Sequence, residues 1–369
     1  MSMRDRLGLT VPQAIAAWAL ALFIGGMAGF MSMLICFYLL SFGGEDDAQK
    51  HGSSEAQATR LGGVAVASYL LMHLWFQYSI SGIIPSEEGI AFIGVSLCFF
   101  GLGLFEDLFA NLSSKRRFSI MLSFAFVAVV AQPLLVLSPP GIPVVDALLG
   151  WSTISGVVCT ALCIGFIPNA FNTADGANGL VAGSAAFIFA ALITQAPATI
   201  VPVLSAALLG CLLFLVFNLI SGRFFLGDGG AYFLGALAGL SVSVMSNQTD
   251  VSVWWLLTLI FYPVADLLWS IGRRLADGRS PFEPDNQHLH NLLFAYLSTE
   301  SRASSLANTV TGVSIATIFG GAPALLVIAG VAEPTSLAWV YWMLGQCFIY
   351  VAVWQHLTSK LCLVDAKLS

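Results

Sequence analysis

The sequence predicts an all-α integral membrane protein, one polytopic domain over residues 1–369, with about eleven transmembrane helices and an active site at their cytosolic ends. Three observations predict it. Apolar residues make up 58% of the chain and charged residues 9%, against roughly 25% charge in a soluble domain. Apolar runs recur from end to end, with no linker or internal repeat between them. The unusual polar groups gather at alternate ends of those runs, where one membrane face would collect them.

The first run, 13–42, is too long for the apolar segment of a signal peptide and lacks a cleavage site, so it reads as a retained span. The second, 61–84, opens on Thr59-Arg60-Leu61-Gly62-Gly63. The third, 90–106, ends in Glu106-Asp107. The fourth, 118–137, follows Lys115-Arg116-Arg117, a topology signal and lipid-headgroup anchor. The fifth, 152–168, leads into a segment holding Asn169, Asn172, Asp175, Gly176, Asn178 and Gly179, and the sixth, 180–195, starts directly after it. The seventh covers 199–219, and the eighth, 231–246, begins after Gly227-Asp228-Gly229-Gly230. The ninth, 251–271, closes on Asp266, Arg273 and Arg274. A polar stretch, 272–308, then holds a short amphipathic helix from His288 to Leu297, and runs at 309–331 and 337–357 complete the chain. Of the seven cysteines, Cys159 and Cys163 lie four apart on one helix face, as packing residues do, and none has zinc-site spacing.

Charge sets the expected orientation. With eleven spans the loops alternate sides, and twelve of the 14 Lys and Arg fall in one set; only Arg4 and Arg6 fall in the other. The positive-inside rule places the larger set in the cytosol, with the N-terminus outside and the C-terminus cytosolic. The net charge of −6 gives no expectation of a nucleic-acid partner. The glycines in the spans permit close helix packing and are compatible with a homodimer.

The polar knots carry the functional reading, because polar groups in hydrocarbon are costly unless satisfied or functional. Spans six and eight begin after glycine-containing turns, so free N–H groups and the helix dipole are expected to face a phosphate. The same turns carry Asp175 and Asp228, with Glu106 and Asp107 at the same membrane face. Four carboxylates would repel a phosphate unless a divalent cation stood between them, and oxygen ligands with a phosphate substrate point to Mg²⁺ or Mn²⁺.

These residues resemble the polyprenyl-phosphate N-acetylhexosamine-1-phosphate transferases, glycosyltransferase family 4, and within them the bacterial UDP-GlcNAc:undecaprenyl-phosphate GlcNAc-1-phosphate transferase-like branch. Asn169 to Leu180 follows that family's N-x-x-N-x-x-D-G-x-[DN]-G-L motif, and Phe225 to Gly235 its F-x-G-D-x-G-x-x-x-L-G motif. Thr59 to Gly63 is similar to its P-R-x-G-G stretch, Glu106-Asp107 to its paired aspartates, and Asp285 to Asn291 to its D-R-x-H-x-H-H loop. Glu106, Asn286 and Asn291 depart from the pattern, and the last two remove cations from the loop that would face a nucleotide sugar.

The resemblance implies a bacterial inner-membrane enzyme that moves a HexNAc-1-phosphate from a UDP-N-acetylhexosamine to undecaprenyl phosphate and releases UMP. The reaction would be the first membrane step of a surface polysaccharide or cell-envelope glycan, O-antigen among them. Asp228 is then the principal metal ligand and Asp175 its partner, with Asn172 orienting the diphosphate beside Asn169 and Asn178. Asp107 and Glu106 are expected beside the acceptor phosphate, and Lys50 and Arg60 attract it. Arg274, His288 and His290 are expected on the donor. Two other readings compete: a transporter with a carboxylate site at its cytosolic end, and a non-catalytic relative.

Overall fold

The computed structural model describes residues 11–40, 60–81, 86–110, 112–222, 224–300 and 304–368. Each of the eleven apolar runs carries helix, and no strand forms among the described residues. In order these are α1 (Val11–Leu40), α2 (Gly62–Ser81), α3 (Glu87–Phe109), α4 (Ser114–Ala131), the short α5 (Pro143–Gly150), α6 (Thr153–Ala174), α7 (Leu180–Ile193), α8 (Val201–Ser221) and α9 (Gly227–Gln248). They continue with α10 (Val253–Leu259), α11 (Phe261–Ala276), α12 (Leu289–Glu300), α13 (Ser304–Ile315), α14 (Ala322–Ile328) and α15 (Trp339–Leu368). Among the described residues, six helices are long and apolar enough to cross a membrane, and seven if the bent pair α10–α11 counts as one.

Local chemistry explains several boundaries. Ser86 caps α3 by accepting the Gly89 N–H at 3.0 Å. Ser152 and Ser155 close a reciprocal capping box at the start of α6, satisfying donors that a helix start leaves free. The ninth run differs from its expectation as one straight span: α10 and α11 meet at 78°. Pro263 supplies the reason, because it lacks an N–H and its ring crowds the carbonyl four residues back, at Leu259. The bend gives α11 one buried face, with Asp266, Ser270 and Arg274, and an exposed one carrying Leu268 and Leu275. A π-helical stretch, Ala316–Gly321, joins α13 to α14.

Helix α9 is the axis of the bundle and is enclosed through its whole apolar length. Small residues let neighbours approach it: a Cβ on Gly235 would stand 2.7 Å from the Pro168 Cα of α6. At its start the contacts are backbone on backbone. A Cβ on Gly63 would meet the Gly230 nitrogen at 2.3 Å, and one on Gly103 the Asp228 carbonyl at 2.4 Å. Gly63 of the early stretch and Gly103 within α3 therefore let α2 and α3 close onto the first turn of α9, and that approach brings their polar ends together. The outer helices present apolar side chains outward, for example Phe23 and Ile35 on α1 and Phe348 on α15, as a lipid-facing surface would.

Candidate functional site

The site is built around the first turn of α9. Asp107, at the end of α3, accepts the Asp228 N–H at 2.9 Å and the Gly229 N–H at 2.8 Å, one on each carboxylate oxygen. The Gly227 N–H faces the Asp175 carboxylate from the same turn. Two carboxylates thus hold the positive end of α9, the arrangement that the helix dipole favours. The Asp228 side chain turns away from that cap and receives Arg117 of α4 at 2.6 Å. Arg117 also stands 3.6 Å from Glu106, whose other oxygen accepts the Leu112 N–H at 3.2 Å. Asn172 donates to the Tyr232 hydroxyl at 3.3 Å and faces the Asp228 carboxylate. The Arg60 side chain acts on Asp107, Asp175 and Asp228 together.

Beside this cluster opens a cleft of about 550 Å³, lined by Arg117, Asn169, Asn172, Arg274, His288 and His290 among others. Its far wall is the loop between α11 and α12. Asp266, 1% exposed, binds the His288 Nδ1 at 2.6 Å and accepts the Leu289 N–H at 3.0 Å and the Tyr350 hydroxyl at 2.7 Å. His290 pairs with the Tyr262 hydroxyl at 3.0 Å and stacks on His288 with ring centroids 5.5 Å apart. The loop is pinned from outside by Arg273, which donates to Asp285 at 2.9 Å and to the Gln287 side chain at 2.7 Å, and lies over the Trp354 ring of α15.

Two of the shifted groups outside the spans, Asp175 and His290, bear most on the site. Burial first, then repulsion from Asp228 and Asp107, pushes the Asp175 carboxyl up to about 7 against the pull of Arg60 and the Gly227 N–H. Burial, with His288 adding to it, holds the His290 imidazole down at about 4 although Asp266 pulls the other way. The carboxylate repulsion is the feature a divalent cation would relieve. Among the described residues no three His, Cys, Asp or Glu side chains converge on one point. Mg²⁺ needs only one or two carboxylates when it keeps waters and shares substrate phosphates, so the Asp175 and Asp228 oxygen donors fit it.

The tertiary structure brings Glu106, Asp107, Asp175, Asp228, Arg60 and Asn172 into one cluster, with Asn169, Arg274, His288 and His290 on the adjoining cleft. Lys50 and Thr59 lie outside the described residues. Three expectations need correction. The N–H groups at the start of α9 are not free for a phosphate, because Asp107 and Asp175 take them. Those at the turn before α7 are taken too: Asn308 accepts the Asn178 N–H at 2.6 Å and Asn218 the Gly179 N–H at 2.7 Å. An unpaired buried donor is costly, and the chain supplies these partners from distant positions. Asn178 itself is 4% exposed and belongs to this asparagine cap, not to the cleft lining. Arg274 lines the cleft, but its guanidinium donates to the backbone carbonyls of Ser270 and Glu283 and so holds the loop.

Five groups were given no part in the site by the sequence. Arg117 reads as a headgroup anchor, yet it is the cation on Asp228; its place three residues into a basic cluster ahead of an apolar run hides the difference. Tyr232, Tyr262 and Tyr350 look like ordinary aromatic packing residues in apolar runs. Asp266 carried a signal, an unneighboured carboxylate inside the ninth run.

Comparison with known proteins points to one family. The family model described as Glycosyl transferase family 4 matches residues 89–246. The chain is 25% identical over 312 residues to a decaprenyl-phosphate N-acetylglucosaminephosphotransferase of Mycolicibacterium smegmatis, covering 74% of this chain and 75% of that protein. It is 31% identical over 148 residues to an undecaprenyl-phosphate alpha-N-acetylglucosaminyl 1-phosphate transferase of Yersinia pestis, covering 37% of this chain and 40% of that protein. A protein of the same description from Thermotoga maritima is 28% identical over 206 residues, covering 56% and 62%. The matches to these last two span less than two thirds of their length.

Proposed function

Since the chain belongs to glycosyl transferase family 4, we propose that it transfers a HexNAc-1-phosphate from a UDP-sugar to undecaprenyl phosphate. UMP is the second product. The observation that carries this reading is the meeting of Asp175, Asp228 and Arg117 beside a polar, histidine-walled cleft of nucleotide-sugar size, which Arg117 and Asn172 line. The relatives named for transfer of N-acetylglucosamine phosphate to decaprenyl or undecaprenyl phosphate support the same reaction.

An oxygen of the lipid phosphate attacks the β-phosphorus of the UDP-sugar. A new P–O bond forms, the bond between that phosphorus and the bridging oxygen breaks, and UMP leaves with the electron pair. A phosphate monoester has a second pKa near about 6, so the attacking group is mostly dianionic at neutral pH and needs no strong base. Charge neutralisation and alignment therefore carry the acceleration. Asp228 and Asp175 would hold Mg²⁺, or Mn²⁺ in its place, which supplies charge neutralisation at the transferring phosphates. Arg117 and Arg60 draw the acceptor phosphate, Asn172 and Asn169 orient the donor, and His288 and His290 form the wall against it. Asp107 keeps the first turn of α9, and with it Asp228, in place.

The reading places these groups on the cytosolic side, with eleven spans and the N-terminus outside. Purified protein, undecaprenyl phosphate, Mg²⁺ and a panel of UDP-HexNAc donors test it. UMP and a lipid-linked sugar phosphate should form with one donor, and stop with EDTA or in Asp228→Asn. Folded protein that forms neither with any donor would overturn the reading.

A further inference from the structure

The proposed reaction uses the face of His288, and nothing yet accounts for the carboxylate buried behind it. Asp266 sits on α11 just after the bend, 1% exposed. Its two oxygens divide their work. Oδ1 accepts the Leu289 N–H and the Tyr350 hydroxyl, which ties the start of α12 and the middle of α15 to α11. Oδ2 makes the 2.6 Å contact with His288 Nδ1. A fold-holding role explains Oδ1 and leaves Oδ2 unexplained, because a buried charge is costly and an amide could have served the Leu289 N–H.

The neighbouring histidine sharpens the contrast. The His288 and His290 rings are within 7° of parallel, yet His290 Nδ1 meets a neutral phenol, from Tyr262. Only His288 has the carboxylate. An ionised carboxylate accepts and cannot donate, so Nδ1 must carry the proton, and the opposite edge of the ring bears Nε2. The other ionisable groups packed around the pair are Tyr262, Tyr350, Arg273 and Asp285.

We propose that Asp266 is a positioning residue for the transfer: by accepting a hydrogen bond from Nδ1–H of His288 it fixes the tautomer and ring orientation that turn Nε2 into the cleft toward the donor diphosphate. This rests on the transferase reading for its consequence and on the Asp266–His288 geometry alone for its cause. A carboxylate behind an imidazole commonly sets which ring nitrogen faces the reacting partner.

The test has two arms. The first labels the histidines with ¹⁵N in detergent-solubilised protein, where only five histidines occur, and assigns His288 by its loss in His288→Gln. Nitrogen shifts showing the Nδ1–H tautomer in the unaltered protein, and its loss in Asp266→Asn, are expected. An Nε2–H tautomer in the unaltered protein would overturn the proposal whether or not any variant folds. The second arm is a double-mutant cycle on UMP release. Asp266→Asn should lower kcat/KM for the donor by about ten- to a hundredfold, the usual effect of removing such a partner, and should have no further effect in His288→Gln. Additive losses would mean that Asp266 acts on the fold and not through His288. Failure of the transferase reading would show as no UMP from unaltered protein, with the first arm still decisive for the pair.

Discussion

Asp107 offers the sharpest test of how the site is held. Its carboxylate accepts two backbone N–H groups of α9 at 2.9 and 2.8 Å, one per oxygen. Asp107→Ala removes both acceptors and the charge that faces the helix dipole. A lost helix cap costs about 0.5–2 kcal/mol, and each buried donor left unpaired about 1–3 kcal/mol. Some overlap between these terms puts the loss at roughly 2–4 kcal/mol. Asp107→Asn keeps one acceptor oxygen and turns its amide toward the second N–H, so it should lose roughly half as much by the same figures. Thermal unfolding in detergent at one fixed heating rate should rank the proteins unaltered, Asn, then Ala; the fixed rate matters because such unfolding is usually irreversible. UMP release measured well below every transition should fall in the same order, because the Asp228 backbone moves with the cap. An alanine variant that melts with the unaltered protein would refute the reasoning. Asp107 would then be free of α9 and available to the acceptor phosphate.

Other outcomes follow from the same geometry. Arg117→Ala strips Asp228 of its 2.6 Å cation and should cut UMP release about a hundredfold, as loss of a transition-state donor does, with little change in melting. Gly227→Ala should prevent folding, since the residue sits at φ +69° and a Cβ would stand 1.9 Å from the Arg60 carbonyl, whereas Gly94→Ala meets nothing and serves as the control. Stability should fall in acid through His290. Its folded pKa of about 4 lies below the ordinary 6.5, so its contribution is complete above 6.5 and is lost as pH falls from there toward 4. The shift corresponds to roughly 3 kcal/mol. About 2 kcal/mol of it is expected by pH 5, read as the difference between unaltered protein and His290→Asn in detergent melts at pH 7.5 and 5. Asp175 runs the opposite way: its raised pKa makes it a cost above about 7 that eases as pH falls, and the comparison cancels it. A His290→Asn protein as acid-sensitive as the unaltered one would remove His290 from the account.

What the sequence by itself determined is the local part of this protein. Helices form where the apolar runs lie, because a helix satisfies its own backbone and a run of nonpolar side chains needs no knowledge of its neighbours. The bend after Leu259 was also local, written in Pro263, although a reading by length alone passed over it. The polar knots at 169–180 and 225–230 announced a site because their residues are expensive where they stand. Partner choice was not local. Arg117 meets Asp228 across 111 residues, Asp107 caps α9 across 121, and Asn308 caps the turn before α7 across 130. Each is chemically able to do something else: Arg117 to bind headgroups, Asp107 to meet a phosphate, and the glycine turns to hold one. Only the tertiary structure decided among these, by fixing which helix ends arrive at the same depth and which donors are buried there. A buried N–H must take whichever acceptor the packing brings within 3 Å or so, and that distance depends on every helix in the bundle at once.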